Sequence, residues 1–218
     1  MIAQLNLFFA GYIGKMKLDK STKKITLQTN EKSEVTNENK RTYNVVINDV
    51  KENGDIDAVF TDIETNESYK IEQDKLEASF VWLIPIGVVI GEWLISQLLA
   101  AGTAIVIAGV TYVVATEIAQ SLRNKQYDHY EAKLMSGKVW IGNAIPLVDA
   151  AARLVNPMFT TANQNVWSKS AALAALVAQT AGGGRTPAGP ELSCNQVHGF
   201  TYIVHYHTWN RVGGHSFF

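Results

Sequence analysis

Residues 41–62, RTYNVVINDVKENGDIDAVFTD, decide the fold. Tyr43, Val45 and Ile47 alternate with Asn44 and Val46, and Ile56, Ala58 and Phe60 resume the alternation after Asn53 and Gly54. Alternation with period two marks a strand with one buried face, and Asn-Gly between two such runs is the strongest short-range hairpin signal. Working outward, Ile25 and Leu27 lead in from one side, while Asn66 and Glu67 precede Tyr69 and Ile71 on the other. Residues 24–77 therefore read as a small antiparallel meander, apolar on one face and charged on the other. Its many carboxylates make a solvated face, not a catalytic one.

The composition changes abruptly after this meander. Residues 1–79 hold 11 Lys or Arg against 14 Asp or Glu, whereas residues 80–122 carry only Glu92 and Glu117. Residues 123–218 hold 8 Lys or Arg against 4 Asp or Glu, so a chain of net charge −1 has a C-terminal part near +4. That excess suits a phosphate-bearing partner such as RNA. Cys194 is the only cysteine, which excludes an intrachain disulfide and a cysteine-built zinc site.

The apolar block carries a second expectation. Residues 93–116 are 24 residues without a charge, enough to cross a bilayer core that needs about 20 helical residues. A shorter apolar run, 80–91, precedes it. Two arrangements fit, a single spanning helix or a helical hairpin turning near Ala101 and Gly102, and either gives residues 80–118 a membrane contact. Residues 1–13 are apolar but lack the basic opening and cleavage site of a secretory signal. Either such a signal has been lost or truncated, or export uses another route, or there is none.

Beyond Arg123 the pattern is that of a globular domain. Val139, Trp140 and Ile141 suggest a strand, and Pro146 suits the first turn of a helix through Leu154. A second helix is expected from Gln164 to Ala178, with Trp167, Ala171, Ala174 and Val177 as its apolar stripe. Gly182, Gly183 and Gly184 open a loop that lacks the spacing of a phosphate-binding loop.

Four of the five histidines fall from His198 onward. Residues 200–207, FTYIVHYH, read as a strand from their aromatic and β-branched content. Alternation puts His205 and His207 on one face with Thr201 and Ile203, about 6–7 Å apart along the backbone. Residues 208–214, with Gly213 and Gly214, supply a return turn, and His215, Ser216, Phe217 and Phe218 can pair back. His215 would then join His205 and His207, with Arg211 at the mouth and Ser216 beside them. Two chemistries fit. Without metal, one imidazole takes the proton of a ribose 2′-hydroxyl, a second protonates the leaving oxygen, and Arg211 offsets charge growing on the phosphate. Alternatively His205, His207 and His215 bind zinc and leave one position for water. With Glu191 the nearest carboxylate in sequence, the metal-free ribonuclease is the expectation and zinc the alternative.

The chain resembles a family of secreted proteins of Gram-positive bacteria classed as toxins and similar in layout to polymorphic toxins. The resemblance is carried by Ile84-Pro85-Ile86-Gly87, Tyr127-Asp128-His129-Tyr130, Trp140-Ile141-Gly142, Gly189-Pro190-Glu191, and the ending His205-Tyr206-His207 with His215-Ser216-Phe217. It implies a delivery segment followed by a C-terminal effector domain, often a nuclease, together with a neutralising immunity protein as partner and a secreted or membrane-associated location.

The expected architecture is α+β: a β-rich region 1–79, an apolar helical segment 80–122, and a small C-terminal α+β domain 123–218 closing in a β-hairpin. A membrane-disrupting or pore-forming activity through residues 80–118 is the rival to an enzyme acting through His205, His207, Arg211 and His215.

Overall fold

The computed structural model describes residues 2–9, 11–19, 21–72, 85–101, 104–160, 162–192 and 203–218. Cys194, His198 and the residues Phe200, Thr201 and Tyr202 of the expected strand lie outside these. The fold is α+β, and the chain divides into two compact units, Met1–Val50 with Gly54–Thr111, and Lys51–Asn53 with Tyr112–Phe218. The expected segments run across this division, because the apolar block contributes to both units.

The first unit is built on a six-stranded antiparallel meander, β1 (Ile2–Phe9), β2 (Tyr12–Asp19), β3 (Lys24–Thr29), β4 (Arg41–Val50), β5 (Ile56–Asp62) and β6 (Ser68–Glu72), in sequence order. The residues read as the buried face are buried: Ile25, Leu27, Tyr43, Val45, Ile47, Ile56, Ala58, Phe60 and Ile71. The sheet begins earlier than the alternation suggested, since the apolar opening stretch supplies β1 and the start of β2.

Helix α1 (Ile86–Ala101) lies on the buried face with Val88, Ile90, Leu94, Ile95, Leu98 and Leu99 turned inward. Gly91 lets it come close. A Cβ there would sit 2.2 Å from the Phe60 ring and 2.9 Å from Leu27. The first turn of α1 has no acidic residue of its own. Glu31, nearly buried just after β3, faces this turn; its Oε2 accepts from Thr29 and from the Tyr43 hydroxyl, each at 3.0 Å, and a Cβ on Gly87 would meet it at 2.3 Å. A carboxylate at this end of a helix is favoured by the helix dipole.

The helical hairpin expected across the apolar block is not what forms. Among the described residues, α1 is followed by β7 (Ala104–Ile107), β8 (Val110–Val114) and α2 (Ala115–Leu122). The physical reason is local. The β-branched residues Ile105, Val106, Ile107, Val110, Thr111, Val113 and Val114 favour strand, and Ala108 and Gly109 both take positive φ, +46° and +77°, as a two-residue hairpin turn requires. Residues 93–116 are therefore shared among two helices and two strands. The 16 residues of α1 span about 24 Å, and among the described residues no helix is long and apolar enough to cross a membrane.

The second sheet has eight strands in the order β12–β13–β14–β11–β9–β10–β8–β7, where β9 is His129–Met135, β10 Lys138–Ile145, β11 Asn165–Ser168, β12 Ala188–Leu192, β13 Val204–His207 and β14 Ser216–Phe217. Helix α3 (Leu147–Leu154) starts after Pro146 as expected. The second helix starts later than expected: residues 165–168 form β11, and α4 (Ala171–Ala181) is capped by Ser170, whose side chain accepts from the Leu173 amide. Trp167 is thus buried on a strand, outside the helical stripe. One face of the sheet packs Tyr130, Trp167 and Phe217 with Ala115 and Leu122 of α2. The opposite face packs Val166 with residues of α3 and α4, and Tyr206 lies against that cluster.

Candidate functional site: a three-histidine cluster

The closing hairpin forms with the expected pairing. β13 and β14 run antiparallel with His205 opposite Phe217 and Tyr206 opposite Ser216, and β14 also pairs parallel with β11. Residues directly opposite share a face. His205 and His207 therefore lie with Phe217 and His215, while Tyr206 and Ser216 face α4. Ser216 does not join the cluster: it is fully buried and donates to the Ala174 carbonyl at 2.8 Å.

Two glycines set the position of His215. Gly213, at φ +93°, would with a Cβ come within 2.1 Å of the Leu154 carbonyl oxygen, and Gly214 within 2.2 Å of the Gln164 carbonyl oxygen. Only backbone fits between α3 and β11. The Gly214 amide donates to the Leu154 carbonyl at 2.8 Å and pins the turn.

The rings converge. Nε2 of His205 lies 3.2 Å from Nε2 of His207, and one ring nitrogen from each of His205, His207 and His215 falls within 4.8 Å of the others. Two of the rings are oriented from behind. Nδ1 of His205 is 3.1 Å from the Ile203 carbonyl oxygen, which only accepts, so Nδ1 carries the proton and Nε2 the lone pair. Asn165 does the same for His215. Its Nδ2 donates to the Ala162 carbonyl at 3.0 Å, which leaves Oδ1 to accept from both the backbone amide and Nδ1 of His215, each at 2.9 Å. Nδ1 of His207 is buried without a hydrogen-bond partner.

Burial and the imidazoles of His205 and His207 push His215 down to about 3; burial, then His205, also lowers His207. Neutral imidazole is the form that offers a lone pair to a metal.

Arg211 and Glu191 sit beside the cluster. Glu191 on β12 is the register partner of His205. Both carboxylate oxygens accept from the Arg211 guanidinium, one at 2.9 Å, and this pairing holds the Glu191 carboxyl below its usual range, with smaller help from His207 and His205. Arg211 is about half exposed and has φ +61°. Glu191, the nearest carboxylate in sequence, lies on the neighbouring strand, and nothing local in the sequence marks Asn165.

The remaining described histidine is structural. His129 Nδ1 pairs with Ser168 Oγ at 2.9 Å across β9 and β11, and with His129 4% and Ser168 0% exposed the pair has no access for a substrate.

Three imidazoles, two of them held from behind, thus converge on the paired strands β13 and β14 beside an arginine–carboxylate pair. Comparison of the chain with protein-family models, with curated proteins and with solved structures found no match.

Proposed function

We propose that the unit containing residues 112–218 is a metal-dependent hydrolase in which His205, His207 and His215 hold one zinc ion, as the effector part of a toxin-type chain. The observation that carries this reading is the 3.2 Å between Nε2 of His205 and Nε2 of His207. Nitrogens sharing one tetrahedral zinc stand about 3.4 Å apart, given zinc–nitrogen bonds of about 2.0–2.1 Å. Metal-free phosphodiester cleavage needs two imidazoles on opposite sides of a phosphorus, each about 3 Å from its own oxygen, so separations of about 6 Å or more. Rings at 3.2 Å leave room between them for a proton or an ion, not for a phosphate.

The outer contacts support the same reading. Histidines that bind metal commonly give their second ring nitrogen to a carbonyl or carboxylate, which fixes tautomer and orientation. Ile203 and Asn165 do this for His205 and His215. A zinc ion held by three histidines supplies activation of a water at the fourth position. The chain's own part is to hold the three rings and to place Arg211 and Glu191 at the rim of the centre. The rival membrane activity of residues 80–118 has no comparable support, since α1 buries its apolar face on the meander.

The test is zinc binding by the full chain in competition with a chromophoric chelator. One ion per chain is expected, and each of His205→Ala, His207→Ala and His215→Ala is expected to weaken binding by more than the ~10–100-fold typical of losing an outer partner. A chain that takes up no zinc, or whose triple alanine variant binds as well as the parent, would overturn the reading.

A further inference from the structure

The turn between the second and third proposed zinc ligands carries side chains that do not themselves ligate the metal. Residues 208–214 are bounded by His207 and His215. No residue of this turn lies more than four positions from a ligand, about 14 Å of extended chain at most, and Trp209 lies two positions from one. The turn is also closed on itself. Thr208 Oγ1 donates to the Val212 carbonyl at 2.8 Å and to Asn210 Oδ1 at 3.0 Å, and the Arg211 amide donates to the Thr208 carbonyl at 2.9 Å. The polar atoms of Thr208 and Asn210 stabilise the loop, while Trp209, Arg211 and Val212 face solvent.

Two of these exposed groups are held in place by partners from elsewhere in the unit. The Arg185 guanidinium stacks over the Trp209 ring at 4.2 Å, yet the indole remains 47% exposed. Arg211 is aligned by Glu191. It also adopts φ +61°, a left-handed backbone that arginine seldom takes, next to Asn210, a residue type that takes it more readily. A large half-exposed indole capped by one guanidinium, with a second guanidinium two residues on, is an arrangement that stacks a base and neutralises a phosphate. The excess of 8 Lys or Arg over 4 Asp or Glu in residues 123–218 favours the same polyanion.

We infer that the turn 208–214 is the substrate-recognition element of the metal centre, and that it takes a single-stranded nucleic acid, with a base stacked on the Trp209–Arg185 pair and the adjoining phosphate on Arg211. This rests on the metal-centre reading and names its substrate class. Ribose and deoxyribose strands share the chemistry that this turn reads, so the test includes both.

The experiment uses the zinc-loaded full chain and fluorescence anisotropy of short labelled RNA and DNA oligonucleotides. The parent protein is expected to bind at least one of them, Trp209→Ala and Arg211→Ala to weaken binding about 10-fold or more, and Trp209→Phe, which keeps an aromatic face, to retain most of it. Arg211→Ala should also reduce the salt dependence by about one counterion. Zinc affinity, measured on the same samples, should be unchanged in Trp209→Ala and Trp209→Phe, which shows that the site still folds. Loss of zinc uptake by the parent protein would refute the metal centre itself. Normal zinc uptake with neither oligonucleotide bound, or with binding undiminished by both alanine changes, would refute this inference alone.

Discussion

Asn165 shows how much of the centre depends on residues without chemistry of their own. Its amide is held by Ala162 on one side, so its oxygen is committed to His215 on the other. Asn165→Ala removes both contacts, and zinc affinity measured by chelator competition is expected to fall ~10–100-fold, as for other lost outer partners. Unchanged affinity would mean that Gly213 and Gly214 alone position the ring. In the first unit, Asp62 plays a comparable part in stability. Its burial pushes its carboxyl up, but the Glu64 amide, the Arg41 guanidinium and the Thr65 amide together outweigh that and hold it below the ordinary 3.8. A carboxyl lowered in the folded state contributes stability that is fully present above its unfolded value and is lost as pH falls through the folded one. Urea unfolding of the first unit should therefore weaken below about pH 4. Asp62→Asn should be less stable at pH 7 yet lose less on acidification, and an equal acid slope in both proteins would count against this role. At this scale the shared face of His205 and His207 was legible, because alternation along a strand is fixed by backbone geometry. Asn165, fifty positions away, was not.

Elements in the apolar block were the hardest to read. A short apolar run is compatible with a buried strand or a buried helix, since periodicity cannot separate residues buried on every side. Residues 104–107 are all buried, and only the turn chemistry of Ala108 and Gly109 separates β7 from β8. The same ambiguity hid β11, where Asn165, Val166, Trp167 and Ser168 are all buried and Ser170 begins the helix that follows. By contrast, β3 to β6 were read well, since one face of each strand meets solvent and alternation survives in the sequence. Helix α1 depends on a close approach that no propensity encodes. Gly91→Leu would drive a side chain into Phe60 and Leu27, and a loss of about 1–3 kcal/mol is expected in chemical denaturation. Gly91→Ala should cost less, because it adds the Cβ alone where leucine adds three further carbons. Equal stability of Gly91→Leu and the parent would show that the helix can lift from the sheet without penalty.

At the scale of the whole molecule, the six-stranded meander lies in the first compact unit, and the histidine cluster found among the described residues lies in the second. A ligand that binds only the folded state stabilises by about 2.7 kcal/mol at 100 times its Kd. Calorimetry of the full chain in excess zinc, compared with chelator, should therefore raise the unfolding of the second unit by on the order of 10 °C and leave that of the first in place. No shift in either would argue that the cluster holds no ion. The amino-acid sequence by itself determined the α+β class, the N-terminal meander, the closing hairpin and the set of histidines on one strand face, because period-two alternation and turn chemistry are local and survive without a partner. Tertiary structure alone decided that the apolar block would split between helix and strands, that Glu191 and Asn165 would stand beside the histidines, and that the imidazoles would meet at ion-binding distance. Those outcomes depend on which strands become neighbours and how near two backbones can come, and both are set by packing between residues far apart in the chain.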